Sequence, residues 1–403
     1  MIKKLNNYFN IERNVLLLIK SQFFLQLIAT SFFLILNIYL SKNSFSDSEI
    51  ADLISYRFLA VILLSYPLGY FISFKRLKIF FVISSALLPI VAILLILLIQ
   101  YSVHDYLKTI FFIWGILFTM FQVSVLPFIM RYSNKKNQTY SISLSFATHS
   151  IAMVIAGLII YITSNFLIDE GQILIIISCF GFVSVFYSLQ IYEPVFVDNL
   201  DNKKRKYNWK LILQCVLPTL VIAIGAGLTI PFINLFFFHT FNIDSARFAL
   251  IGGATSFLVA FSSLIVPFVK KEFGFQKSIL NTQLIAVLSL IALSTTAYFN
   301  EYYFVVYFAI FFYMLRAPLM NMAAPLTSEL TMNYVGKNNQ EMLSAIIAAI
   351  WSGSWFFSSQ IFKILVDSDY NYSEIFYITS VLYLLGILLY YFLIKKFINN
   401  NKY

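Results

Sequence analysis

Charge is what this sequence has least of. Only 11% of its 403 residues are Asp, Glu, Lys or Arg, against about 25% in an ordinary water-soluble domain. With 60% hydrophobic residues and a mean hydropathy of +0.82, so apolar a chain needs lipid around it rather than water. Glycine (13) and proline (9) are scarce too, and so apolar a chain has no reason to stay disordered. The two cysteines, Cys179 and Cys215, lie in apolar stretches without metal-ligand spacing, so no disulfide framework or zinc site is legible. There is no phosphate-binding glycine loop and no catalytic triad spacing, and the polar segments are too short to hold an ATPase. No cofactor is expected.

What the chain does contain is a succession of apolar runs. They fall near 14–41, 48–74, 77–101, 105–131, 138–165, 170–192, 210–240, 245–270, 276–299, 302–331, 339–366 and 372–397. Each is long enough to cross ~30 Å of hydrocarbon as an α-helix. Helix is expected because a lone span satisfies its backbone internally only in that form. The first run, from Asn14 to Leu40, is too long for the core of a signal peptide and is expected to stay in the mature protein. Tyrosine and tryptophan gather at run ends (Tyr39, Tyr101, Tyr132, Trp209, Tyr302, Tyr303), as an interfacial belt requires.

The net charge of +10 carries orientation rather than nucleic-acid affinity. Of the 28 Lys and Arg residues, 22 fall on the side of the termini and of the even-to-odd connections, including Lys75, Arg76, Lys78, Lys203 to Lys206, Lys270, Lys271, Lys277, Lys395 and Lys396. The other side has four: Lys42, Lys108, Arg247 and Lys363. The positive-inside rule then puts both termini in the cytoplasm, with an even number of spans. One long polar linker, 193–209, separates residues 1–192 from residues 210–403.

The two halves repeat each other. After the second run the chain reads Pro67-Leu-Gly69 through Ser73, Lys75, Arg76 and Lys78; after the eighth it reads Pro267 through Lys271, Gly274 and Lys277. Pro127 and Pro325 share the offset that relates Gly69 to Pro267, and Asn134-Lys-Lys-Asn-Gln138 matches Gly336-Lys-Asn-Asn-Gln340. Parallel repeats of this kind fit two bundles related by an axis along the membrane normal.

On these residues the sequence resembles the major facilitator superfamily over essentially its whole length. That family's loop after span two reads Gly, three residues, Asp, two residues, Gly, then Arg or Lys. Gly69 and the basic cluster are kept here, with Ser73 at the acid's place and Arg76 at the second glycine's; the second copy keeps Gly274 and Lys277. Span four has no arginine before Arg131 and span five, with Gly157, has no Gly-Pro pair, two features of the family's proton-drug antiporters. The resemblance implies an all-α membrane protein of twelve spans in two six-helix bundles, rocking about a central site, and a monomer. It also implies Gly69, Lys75, Arg76, Gly274 and Lys277 as moving parts of the transport cycle.

Polar residues within the runs are the candidate site. Gln22, Gln26, Thr30 and Asn37 share one stripe of span one, which faces either a cavity or neighbouring helices through hydrogen bonds. The resemblance puts spans one, four, seven and ten around the cavity. This makes Gln26, Asn37, Gln122, Asn234, Arg316 and Asn321 the substrate-contact candidates. Arg316, about 15 residues into span ten, lies near mid-membrane, where an arginine is unfavourable by ~2.5–3.5 kcal/mol. It either binds an anionic substrate or is held structurally by carbonyls and amides such as Gln122 or Asn234. Arg57 either snorkels outward or closes an outer gate. Pro318 and Pro325 remove ladder bonds around Asn321, so span ten is expected to bend, as a gate or as a tolerated kink. His149 is a proton shuttle or a packing residue, and Glu329 an inner-gate titrating group or a solvated interfacial one.

These readings converge on a secondary transporter in a bacterium's cytoplasmic (inner) membrane, whose partners are lipid and a small organic solute of anionic or amphipathic character, with efflux favoured over uptake. The 44 Phe and 26 Tyr, beside much Ile, Asn and Lys, suit an AT-rich bacterial genome. A polyprenyl-linked glycan flippase, a membrane scaffold and a membrane-embedded enzyme are the alternatives. A green fluorescent protein fused after Tyr403 is expected to fluoresce, whereas alkaline phosphatase fused there stays inactive; the reverse pair of results would invert the charge-based orientation.

Overall fold

The computed structural model describes residues 11–72, 76–134, 138–166, 168–193, 207–336 and 339–400. Helix α1 (Arg13–Lys42) contains neither glycine nor proline and runs unbroken for 30 residues, ~45 Å of rise. Next come α2 (Asp47–Ile72), α3 (Lys78–Gln100), α4 (Leu107–Tyr132), α5 (Gln138–Ser164) and α6 (Glu170–Gln190). The second half holds α7 (Trp209–Phe241, tightened into one 3-10 turn at Ile230–Phe232), α8 (245–273), α9 (275–296), α10 (Val305–Val335), α11 (Gln340–Asp367) and α12 (Tyr372–Asn400).

The expected loop between the eighth and ninth runs is reduced to a single glycine. Gly274 adopts φ +75° and ψ 168° between α8 and α9, a conformation that a side chain would resist. Prolines lie inside α2, α3, α4, α7 and α10, and α10 continues as helix through both Pro318 and Pro325. Among the described residues, ten helices, all but α2 and α11, are long and apolar enough to cross a membrane. The remaining two have 26 and 28 residues.

Contacts divide the chain into two compact units that exchange helix ends relative to the division expected at 193–209. The first comprises Met1–Ser46, Tyr56–Leu200 and Asp244–Gly253; the second comprises Asp47–Ser55, Asp201–Ile243 and Ala254–Tyr403. The first nine residues of α2 thus belong with the second unit, and the start of α8 belongs with the first. Gly157 on α5 makes the latter possible, since a Cβ there would meet the Ala249 carbonyl oxygen at 2.4 Å and Gly253 Cα at 3.3 Å.

Helix α1 is the core of the first unit, packed mainly on α5 and α6. Four buried serines tie α1, α3 and α6 together: Ser21 Oγ lies 2.7 Å from Ser184 Oγ and 2.8 Å from Ser188 Oγ, and Ser85 Oγ lies 2.8 Å from Ser188 Oγ. Small hydroxyl residues allow close approach and satisfy one another, which is how helices adhere where lipid offers no hydrophobic drive. Helix α7 is the counterpart in the second unit, packed on α11 and α12. There Thr229 Oγ1 donates to Thr379 Oγ1 at 2.9 Å, Ser358 Oγ donates to the Ile224 carbonyl at 2.7 Å, and Gly227 admits Ser358. Outward faces carry aliphatic stripes suited to lipid, such as Ile79, Ile83, Ile90 and Leu94 on α3.

The α2–α4 crossing is the tightest constraint near the polar residues of the first unit. A Cβ on Gly115 would stand 2.3 Å from the Arg57 carbonyl oxygen and 2.7 Å from Ala60 Cβ. Gly115→Val is therefore expected to lower stability by about 1–3 kcal/mol through overpacking. Thermal unfolding of the purified protein checks this, and an unchanged melting temperature would mean that the two helices do not touch there.

Candidate functional site

The polar stripe of α1 faces α5 within the first unit. Ser145 Oγ donates to Gln22 Oε1 at 2.7 Å, and one helical turn further on His149 Nδ1 lies 3.3 Å from Gln26 Oε1. Both pairs advance by four residues on each helix, which keeps side chains on one face. Thr30 turns back to the Gln26 carbonyl at 2.8 Å, and Asn37 is buried. Gln22 and Gln26 are themselves buried, whereas the His149 ring is exposed.

Arg57 stands ten residues past the start of α2, ~15 Å along the helix. Its guanidinium carbon lies 5.5 Å from the Trp114 ring centroid and 5.3 Å from that of Phe118, with Phe58 at 6.0 Å. It also lies close enough to His149 to interact electrostatically. Among the described residues no carboxylate pairs with it. Trp114, Phe118 and Gln122 recur every fourth residue on α4 and so share a face. The Trp114 Nε1 donor and the Gln122 Nε2 donor are both buried without a hydrogen-bond partner among the described residues. Trp114, Phe118 and His149 were not among the substrate-contact candidates; the spacing 114, 118, 122 was available in the sequence, but nothing there joins it to Arg57.

In the second unit the other mid-span cation is held differently. Arg316 is only 4% exposed, and its Nη2 donates to Tyr383 Oη on α12 at 2.9 Å, with the guanidinium 5.7 Å from the Tyr383 ring centroid. Its Nε has no partner among the described residues. The partner is thus a phenol, where Gln122 or Asn234 were the named possibilities. Asn234 is buried, and its Oδ1 accepts from the Leu235 amide at 2.9 Å; Asn321 is exposed and donates to the Ala317 carbonyl at 2.8 Å. Pro318 offers its carbonyl to Ser262 Oγ at 3.4 Å. Glu329 forms an exposed ion pair with Lys270 at 2.7 Å.

The repeated loops contain one group that sequence reasoning left in the linker. Glu193 is buried, and its carboxylate accepts the amides of Leu77 at 2.9 Å and Lys78 at 2.8 Å, and the Tyr132 hydroxyl at 3.2 Å. It therefore caps the start of α3, where free amides and the helix dipole favour an anion. Burial and then the Glu193 charge push the Tyr132 hydroxyl up to about 12, so it remains a donor at neutral pH. An acid thus reaches the loop in which Ser73 replaces the family's aspartate, but it arrives from the end of α6. Arg76 and Lys277 are exposed, Gly69 lies within α2, and Lys75 lies outside the described residues. The loop repeat has a structural counterpart: Glu12 before α1 accepts the Asn134 amide at 3.0 Å, and the Asn208 amide before α7 donates to Asn339 at 2.8 Å.

The opposite end of α2 carries acids into the second unit. Asp47 accepts from the Tyr372 hydroxyl and lies 3.1 Å from His239 Nε2. Gln360 Nε2 donates to Asp52 at 3.2 Å and to Ser55 at 2.6 Å, and Lys363 is 3.5 Å from Asp52. In the first unit Lys42 pairs with Glu170, which also accepts from Ser245 at 3.1 Å.

Polar side chains paired across apolar helices, with one arginine inside α2 and another inside α10, fit a polytopic membrane protein of transporter fold. The superfamily's sequence profile matches residues 20–359, and the chain belongs to the Major Facilitator Superfamily. Solved structures agree in fold. A bacterial homolog of the human lysosomal transporter Spinster, inward-facing and occupied, superposes with TM-score 0.73 at 14% identity, covering 96% of this chain and 97% of that one. The nucleoside transporter NupG gives TM-score 0.71 at 13% identity, covering 96% and 99%. A bacterial homologue of the iron transporter ferroportin gives 0.70 at 14%, covering 95% and 98%. No functionally curated protein matches the chain in sequence.

Replacing Glu193 by alanine strands two buried amides at the start of α3. The expected loss is about 1–3 kcal/mol, measured as a fall in melting temperature, with Glu193→Gln recovering part of it. Equal stability of all three proteins would show that water replaces the carboxylate at no cost.

Proposed function

We propose that this protein is a secondary transporter that moves a small organic solute across the cytoplasmic membrane of a bacterium by alternating access. In this reading all of α1 to α12 span the bilayer, both termini are cytoplasmic, the protein works as a monomer, and export is the favoured direction. The observation that carries it is the paired polar surface at mid-span: Gln22 with Ser145 and Gln26 with His149, in a chain of this superfamily. Polar groups at that depth mark substrate or ion pathways.

In the first unit the proposed solute contacts are Gln26, Asn37 and Gln122. In the second they are Asn234 and Asn321, with Arg316 assigned a structural part through Tyr383. Gly69, Lys75, Arg76, Gly274, Lys277, Pro318, Pro325 and Glu329 are proposed as the moving parts of the cycle. Spans without a midplane carboxylate make exchange or uniport as reasonable as proton coupling. The flippase alternative calls for a cleft lined by several arginines; the spans here hold two, Arg57 and Arg316.

The test is ligand-induced thermal stabilisation of the purified chain across organic anions, lipophilic cations, sugars, nucleosides and amino acids, followed by counterflow in proteoliposomes. Mass action requires a bound solute to raise the melting temperature. At least one class is expected to stabilise the protein and to exchange, and the double variant Gln26→Leu, Asn37→Leu is expected to weaken both. Arg316→Gln is expected to cost about 1–3 kcal/mol of stability without changing which class binds. If no class stabilises the chain and none exchanges, the scaffold reading takes its place.

A further inference from the structure

The mid-span charges of the two units differ in how they are satisfied, and the difference points to a ligand. Arg316 is 4% exposed and bonded to a phenol. Arg57 is part-exposed, and among the described residues it takes part in no hydrogen bond and no ion pair; aromatic faces lie beside it. A guanidinium offers five N–H donors in a fixed fork and prefers planar, two-oxygen acceptors. Because Arg57 is part-exposed, its donors face the open side of the cluster, where water or a ligand can meet them.

Two neighbouring groups bring further unpartnered donors. Trp114 is 1% exposed with its Nε1 unpartnered, and Gln122 Nε2, two turns along the same face of α4, is also unpartnered. The Gln26 side-chain oxygen, Oε1, lies against His149 Nδ1 at 3.3 Å. Among the described residues no Asp or Glu lies in the interior of any span; they fall at helix ends or in loops. The cluster holds a cation and two unpartnered donors, has neutral acceptors (Gln122 Oε1 and a His149 ring nitrogen) but no carboxylate beside it, and is open on one side, where His149, Phe118 and Gln122 keep exposed surface. The missing component is an anionic acceptor.

We infer that Arg57, Trp114 and Gln122 form the recognition site for an organic anion with a flat body, whose carboxylate, sulfonate or phosphate group sits on the Arg57 fork while its ring lies along Phe118. The assignment rests on the transporter reading above and names its substrate class. It moves anion recognition from Arg316 to Arg57. The aromatic rings that lie against Arg57 hold the guanidinium in place without competing for its N–H groups. They thus preorganise it for an incoming anion instead of neutralising it.

The experiment uses the full chain in detergent and three probes of one ring system: 2-naphthoate, 2-naphthalenesulfonate and 2-naphthyl phosphate, with neutral 2-naphthamide as the control. Thermal stabilisation is measured up to ~10 mM probe, alongside quenching of tryptophan fluorescence in the wild type and in Trp114→Phe. At least one anion is expected to raise the melting temperature and to quench through Trp114, while the amide does neither. The order among the three identifies the headgroup. Arg57→Gln is expected to weaken the anion by about tenfold or more, the scale of a charge-assisted hydrogen bond, and Arg57→Lys to recover part of the loss. The inference is overturned if the amide binds as well as the anions, if Arg57→Gln binds them unchanged, or if none of the three binds the wild type. Should these probes fail while another solute class stabilises the protein, only the anion assignment falls. If nothing stabilises it, the transporter reading falls with it.

Discussion

Every polar group inside these helices must find its partner within the protein, because hydrocarbon offers none. That requirement organises the structure more than any single apolar contact does. Hydroxyls on α1, α3 and α6 satisfy each other in the Ser21, Ser85, Ser184 and Ser188 cluster, and Thr229 with Thr379 does the same for α7 and α12. Such bonds are individually weak, at ~0.6 kcal/mol each in membrane proteins. Their value lies in the small side chains that make them: the helices come close, and dispersion contacts accumulate along the whole crossing.

At the ends of the helices the same requirement takes a charged form. Glu193 meets the free amides at the start of α3, and Asp47 and Asp52 meet donors on α7, α11 and α12. These are interfacial positions, where a carboxylate keeps part of its hydration and pairing costs little. Polar contacts near water can exchange one partner for another far more readily than contacts at mid-depth. Hinges and latches are therefore best placed at helix ends, and the glycine break between α8 and α9 lies there too.

Much of this was legible in the sequence. The helices follow from run length, the superfamily from the repeated loops, and the facing of α1 from the spacing of Gln22, Gln26 and Thr30. Gln26 lies on that face, but its partner His149 lies 123 residues away, and periodicity within one helix has no information about a second helix. Tyr383 escaped notice for the same reason, since one tyrosine among 26 carries no mark that it holds an arginine. Glu193 was hidden by its surroundings: a polar linker makes any acid within it look solvated. The expected loop between the eighth and ninth runs proved to be a single residue, because hydropathy detects where apolar character fades and not where a helix ends.

The two arginines show why residue type at a given depth underdetermines role. Sequence depth alone favours Arg316 as the functional charge, being the nearer to mid-membrane. Packing reverses the order. A phenol hydroxyl gives Arg316 an acceptor and a π face from one side chain, and at 4% exposure its remaining donors are closed to a ligand. Phe118 and Trp114 give Arg57 π faces only, which stabilise the cation while leaving its in-plane N–H groups unmet. A charge that is stabilised but not hydrogen-bonded combines two properties that a binding site needs. It survives in a low-dielectric setting without a ligand, and it still gains when an anion arrives.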